Sequence, residues 1–190
     1  MENPFSLAGK TIFVTGASSG IGRVVAIECS KMGATMVITG RNSERLKETC
    51  DRLSGTGHSQ LAADISSEEE VRRVAESLPP IDGMVHCAGI YRLAPVSFAN
   101  QELVREVMET NFLGPMALTR EAVRLKKIKR NGSVVFISSV AGSHVSSPGG
   151  SVYSASKSAL IGMARGVALD LAPKGIRVNA IAPGAIKTHA

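Results

Sequence analysis

A doubly wound α/β sheet is the fold class this sequence predicts, and three observations predict it. Short apolar runs alternate with amphipathic stretches along the 190 residues. The runs are apolar on both alternating sides, as strands of a parallel sheet covered by helices on each face must be. A glycine cluster, "TGASSGIG" (Thr15 to Gly22), follows directly on the first run. Six strand–helix units with right-handed crossovers then predict the strand order 3-2-1-4-5-6.

Each element has its own signal. "TIFVTG" is the first strand, and "GIGRVVAIECSKMG" the first helix, closed by Gly33. "TMVITG" is the second strand, with a helix over Ser43 to Leu53 after it. "SQLAAD" is the third, followed by "SSEEEVRRVAESL", with Ser66 or Ser67 as cap and acids in its first turn. "GMVHCAG" is the fourth strand and precedes a long helix from about Asn100 to Leu125. "GSVVFISS" is the fifth strand, Tyr153 to Leu171 a helix, and "IRVNAIAPG" the sixth strand, ended by Pro183 and Gly184. There is no internal repeat, low-complexity tract or linker, so residues 1–190 read as one domain.

Composition narrows the function classes. With 44% hydrophobic and 20% charged residues, the chain can bury a sizeable core. No apolar run approaches a membrane span, and "MENPFSLAGK" lacks the apolar core of a secretory signal, so a cytoplasmic location is expected. Three cysteines without a C-x-x-C pair argue against disulfides or zinc, and the four histidines are scattered, so no metal is expected. The net charge of +6 raises the question of nucleic acid. Its densest patch, "RLKKIKR" (Arg124 to Arg130), reads as the end of the long helix, where cations meet the negative end of the dipole. Aromatic residues do not interleave with the basic ones, so nucleic acid is not favoured.

Strand, glycine turn, helix is the context of a phosphate-binding loop. Gly16, Gly20 and Gly22 permit positive φ and remove the Cβ atoms that would hold a pyrophosphate away. Ser18, Ser19 and Ile21 complete the turn, and the helix N-terminus offers its unpaired N–H groups. A tight turn that binds nothing is the alternative; its place after the first strand favours binding. "TGASSGIG" resembles the cofactor motif of the short-chain dehydrogenase/reductase family, and later segments fit that family in order, closest to 3-oxoacyl-carrier-protein reductases.

The second strand ends at Gly40, where an acid would hold the ribose hydroxyls of NAD; Arg41 and Asn42 follow instead. Arg41 can clamp a 2′-phosphate, which favours NADP(H) over NAD(H), or it is an ordinary surface arginine. Asp64 resembles the aspartate of the family that contacts the adenine, and a turn or N-cap aspartate is the rival reading. In "CAG", Cys87 replaces the asparagine of the family pattern, while Ala88 and Gly89 keep the small side chains needed beside a cofactor.

In "YSASK", Tyr153 and Lys157 stand one helical turn apart. A tyrosine with a pKa of about 10 is a poor proton shuttle at neutral pH, and a neighbouring ammonium is expected to lower that pKa. Ser139 ends the fifth strand at the sheet's carboxyl edge, where it can hold a substrate carbonyl. Ser138 is its rival, and the "S-x-x-G" spacing of the family, with Gly142, selects Ser139. The resemblance adds Asn111, in "METNFLG", as a helix-bending residue that holds a proton-relay water. It also assigns Pro183, Gly184, Ile186 and Thr188 to the nicotinamide end and gives Lys157 a bond to the nicotinamide ribose.

The resemblance thus implies an NADP-dependent oxidoreductase with the tetrad Asn111, Ser139, Tyr153 and Lys157. Its substrate is expected to be a small carbonyl or alcohol, or a carrier-protein-bound 3-oxoacyl thioester, and its state a homodimer or homotetramer. Relatives in the family continue beyond "PGAIKTHA", so a seventh strand is expected past the given C-terminus. The competing reading is a non-catalytic dinucleotide-binding sensor on the same fold.

Overall fold

The computed structural model describes residues 3–188. Glu2, part of the N-terminal segment considered above, lies outside them. Six parallel strands form one sheet in the order β3-β2-β1-β4-β5-β6. They are β1 (Thr11–Thr15), β2 (Thr35–Gly40), β3 (Ser59–Ala62), β4 (Ile81–His86), β5 (Ile128–Ile137) and β6 (Arg177–Ile181). The helices are α1 (Gly20–Lys31), α2 (Ser43–Cys50), α3 (Glu68–Ser77), α4 (Gln101–Met108), α5 (Gly114–Arg124) and α6 (Ser151–Leu171).

The expected order and parallel sense are both present, and strand alternation shows why. Ile12 and Val14 of β1 pack with Ala26 of α1 and Leu46 of α2 in one buried cluster. Phe13, between them, points into the other, with Val74 of α3, Leu118 of α5 and Leu160 of α6. The inner strands β1, β2 and β4 therefore have little face left for water, whereas the edge strands β3 and β6 stay partly exposed. The strand order, not the chain direction, reverses between the parallel neighbours β1 and β4, where Thr15 lies opposite His86, and a crevice opens at the carboxyl ends of these strands.

Three expectations are corrected. The long helix is interrupted by a π-helical turn over Glu109–Leu113 between α4 and α5, and Asn111 lies inside it, fully buried. The basic run does not end a helix: Arg124 closes α5, Lys126 turns in the left-handed region at φ 55°, and Ile128 to Arg130 belong to β5. Burial of Ile128 opposite Ile81 outweighs the helical preference of the surrounding lysines. The charges are absorbed locally, since Lys127 Nζ donates to the carbonyls of Glu76 (2.8 Å) and Leu78 (2.6 Å) at the end of α3. Several boundaries also move: β4 starts at Ile81 rather than Gly83, β3 and β6 are shorter than expected, and α2 ends at Cys50. The cap of α3 is Ser67.

Candidate active site

The crevice at the switch point is a cleft of about 440 Å³. Its walls gather residues from eight separate stretches of chain. Gly16, Ser18, Ser19, Gly20, Ile21 and Gly22 form the floor, with Arg41 and Asn42 at one end. Asp64, Ala88 and Gly89 form one side, and Tyr153, Lys157 and Thr188 close the other end.

The glycine turn is shaped as a cradle. Gly16 has φ +66°, and a Cβ on it would come within 2.6 Å of the Ala88 amide nitrogen. A Cβ on Gly22 would overlap the Gly16 carbonyl. Ser19 caps α1 without any side-chain bond, and no acid occupies the first turn. The first helical bond there runs from Arg23 N–H to the Ser19 carbonyl, so the preceding N–H groups face the cleft side of the turn. Bare amide donors, a positive dipole end and no competing carboxylate fit a pyrophosphate.

At the far end Arg41 is exposed, with no carboxylate partner among the described residues. Asn42 has a structural role, because its Oδ1 accepts the Arg45 N–H at 2.8 Å and caps α2. Asp64 takes the turn reading, its Oδ1 accepting from Ser66 N–H (2.9 Å) and Ser66 Oγ (2.7 Å), while still lining the cleft.

At the other end, α6 carries Tyr153 and Lys157 on one face. Lys157 is buried, and its Nζ donates to the Ile137 carbonyl at 2.9 Å, 5.9 Å from the centre of the Tyr153 ring. Burial pushes the lysine pKa down to about 8. Burial also raises the phenol of Tyr153 above its ordinary value, Tyr91 adds to that, and a hydrogen bond with Ser139 works against it. The expectation that the ammonium lowers the tyrosine pKa is not met, because Lys157 reaches past the ring to a backbone carbonyl. The two serines separate as alternation predicts. Ser138 is buried and donates to the Lys157 carbonyl at 2.7 Å, whereas Ser139 Oγ accepts from Ala141 N–H at 3.1 Å on the Tyr153 side.

Asn111 does not line the cleft; it stands behind it. Its Oδ1 accepts the Ile90 N–H (2.7 Å), and its Nδ2 donates to the Ile90 carbonyl (3.0 Å) and to Ser156 Oγ (3.0 Å). Ser139, Pro183, Gly184 and Ile186 are not in the lining either, whereas Ser138 is. The Pro183 carbonyl accepts from Val140 N–H at 3.0 Å, and Ile186 is exposed.

A family model described as short chain dehydrogenase matches residues 10–190. The chain belongs to that family. Its relatives include carbonyl reductase family member 4 of Danio rerio, 38% identical over 179 residues, covering 92% of this chain and 75% of the relative. A 3-oxoacyl-[acyl-carrier-protein] reductase of Rickettsia bellii is 34% identical over 182 residues, covering 96% and 75%. The RhlG/NADP active-site complex of Pseudomonas aeruginosa superposes with a TM-score of 0.90 at 32% identity, covering all of this chain and 77% of that one.

Short-chain dehydrogenases bind a nicotinamide dinucleotide, and several residues that shape the cleft for one in this chain escaped the sequence reading. Arg23 bolts the glycine turn to α2, donating to the Ser18 carbonyl (2.6 Å), the Arg45 carbonyl (3.1 Å), Thr49 Oγ1 (2.9 Å) and Glu48. A cation in a first helical turn opposes the dipole, which is the signal that could have flagged it. Thr15 Oγ1 accepts from both Cys87 and Ala88 N–H at 3.2 Å and anchors the segment where Cys87 replaces asparagine. Burial drives the Cys87 thiol up to about 12, so it remains protonated. Arg45 and Tyr91 also line the cleft.

Proposed function

We propose that this short-chain dehydrogenase reduces the carbonyl of a 3-oxoacyl thioester or small ketone with NADPH as hydride donor, and catalyses the reverse oxidation with the same groups. The observation that carries the reading is one cleft with a phosphate cradle and Arg41 at one end and the Tyr153–Lys157 pair at the other. The relatives named carbonyl reductase and 3-oxoacyl-[acyl-carrier-protein] reductase support this substrate class. The superposable NADP complex supports the cofactor.

The residues fit an NADP(H) molecule along the cleft. The Gly20 and Ile21 amides would hold the pyrophosphate, Arg41 the 2′-phosphate, Asp64 the adenine side, and Lys157 and Thr188 the nicotinamide half. When bound, the nicotinamide supplies hydride to the carbonyl carbon. Ser139 Oγ donates a hydrogen bond to the substrate carbonyl oxygen and orients it. Tyr153 gives its phenolic proton to that oxygen as negative charge develops there. Its raised pKa suits this direction, since the phenol is neutral and ready to donate near pH 7. Lys157 carries a proton below about pH 8 and holds positive charge beside the phenolate left behind. Asn111 fixes Ile90 on one side of the site and Ser156 on the other.

Fluorescence titration with NADPH and NADH tests the cofactor assignment. A charge-assisted bond from Arg41 to the 2′-phosphate should make NADPH bind roughly 10- to 100-fold more tightly. Arg41→Ala should erase that ratio and leave NADH binding unchanged. Equal affinity of the wild-type chain for both would remove the role given to Arg41.

A further inference from the structure

The ring of Tyr91 meets that of Tyr153 edge to face, with centroids 4.7 Å apart and planes at 90°. Tyr91 lines the cleft, is 56% exposed, and has no part in the chemistry above. We propose that Tyr91 is a positioning residue for Tyr153: its ring holds the phenol in place at the mouth of the cleft and keeps water off that flank. The consequence for turnover rests on the reductase reading; the consequence for ionisation does not.

An aromatic side chain on an exposed loop would ordinarily swing. This loop is tied at three points. Asn111 grips both backbone groups of Ile90, Arg92 pairs with Glu106 of α4 at 3.1 Å, and Ala94 N–H donates to the Gly149 carbonyl at 3.0 Å. The same Asn111 amide donates to Ser156 Oγ, which in turn donates to the Tyr153 carbonyl at 2.7 Å. Both segments are therefore tied to one fully buried side chain, so the loop presents the Tyr91 ring at a fixed place against the phenol of Tyr153. Edge-to-face geometry is one of the two favoured arrangements for rings at this distance.

The groups that face the Tyr153 phenol are Tyr91 from the loop after β4, the Ser139 hydroxyl from the end of β5, and Lys157 from its own helix. Burial is the leading cause of the raised tyrosine pKa, and Tyr91 adds to it. A ring lying against one flank of the phenol accounts for part of that burial.

The chain has two tyrosines, so Tyr91→Phe and Tyr91→Ala each leave Tyr153 as the only one. Its ionisation can then be read directly from near-ultraviolet tyrosinate absorbance in the ligand-free chain. In Tyr91→Phe the ring cover remains, and Tyr153 should titrate above the ordinary value of about 10. In Tyr91→Ala it should titrate at lower pH. With NADPH and a 3-oxoacyl thioester, Tyr91→Phe should keep the wild-type kcat. Tyr91→Ala should lose about 3- to 10-fold in kcat with the KM for NADPH unchanged. Thermal melts check that both variants fold. Coincident Tyr153 midpoints, or equal kcat in the two variants, would overturn the proposal. A wild-type chain that reduces no carbonyl would overturn the reductase reading instead, and the titration would still decide the role of Tyr91.

Discussion

Tyr153 and Lys157 are one helical turn apart, yet burial moves their protons in opposite senses, raising the phenol and bringing the amine down to about 8. Both shifts favour the neutral forms, so in the proposed reaction the pair would act as an acid below pH 8 and lose its ammonium above it. The kcat for carbonyl reduction should therefore fall as pH rises through about 8, while alcohol oxidation, which needs the phenolate, should rise. Steady-state profiles in the two directions check this; a reduction rate flat across that range would contradict it. His86 offers a second residue-scale test. It stacks on Phe136, and its Nε2 lies 3.0 Å from Thr119 Oγ1. The Thr119 hydroxyl proton goes to the Pro115 carbonyl, so Nε2 donates and Nδ1 is left without a partner among the described residues. Burial holds this imidazole neutral down to a pKa of about 3. The unfolded chain takes up its proton near pH 6.5, the native one does not, and stability therefore falls on acidification between these values. At about pH 5 the loss relative to neutral pH is roughly 2 kcal/mol, and His86→Leu should abolish it in urea melts at the two pH values.

At the scale of elements, the glycine turn and the α4–α5 interruption decide the site. Gly22→Ala places a methyl group against the Gly16 carbonyl, a backbone atom that cannot step aside without moving the cradle. The variant should lose NADPH binding and about 1–3 kcal/mol of stability, read by titration and by melting. Unchanged binding would mean that the turn is not the phosphate site. This turn was legible in the sequence because the whole device lies within eight consecutive residues. The strands were legible for a similar reason, since a short continuous apolar run is a local pattern. The π-turn was not: widening one turn leaves the apolar spacing on either side almost intact, and the buried Asn111 reads locally as a poor helix former. The basic run was misread because lysine and arginine suit a helix, whereas the deciding fact is the burial of Ile128 against a strand far away in sequence. Arg23 and Tyr91 escaped for that reason too, since their partners, Thr49 and Tyr153, are set by the fold.

On the scale of the whole molecule, the two ends of the sheet divide the work. The carboxyl end holds the cleft. The opposite end is fastened by Asp82, whose carboxylate accepts from Thr11 N–H (2.9 Å) and Lys129 Nζ (2.8 Å) and lies 3.7 Å from Lys10. Burial alone would raise the Asp82 pKa, but these bonds and charges outweigh it and hold it below the ordinary value. Its stabilising contribution is accordingly present above the unfolded carboxyl pKa of about 4 and lost as the native group protonates at lower pH. Asp82→Asn should cost about 1–3 kcal/mol in denaturant melts at neutral pH and leave kcat unchanged, because no part of the cleft depends on it. The central claim, that this member of the short-chain dehydrogenase family is a reductase whose proton comes from Tyr153, is tested most directly by Tyr153→Phe. NADPH binding and NADPH-dependent reduction of a 3-oxoacyl thioester would be measured on the same preparation. The account predicts unchanged NADPH affinity with kcat lowered roughly 100- to 10,000-fold. A variant that binds NADPH and still turns over at the wild-type rate would contradict it.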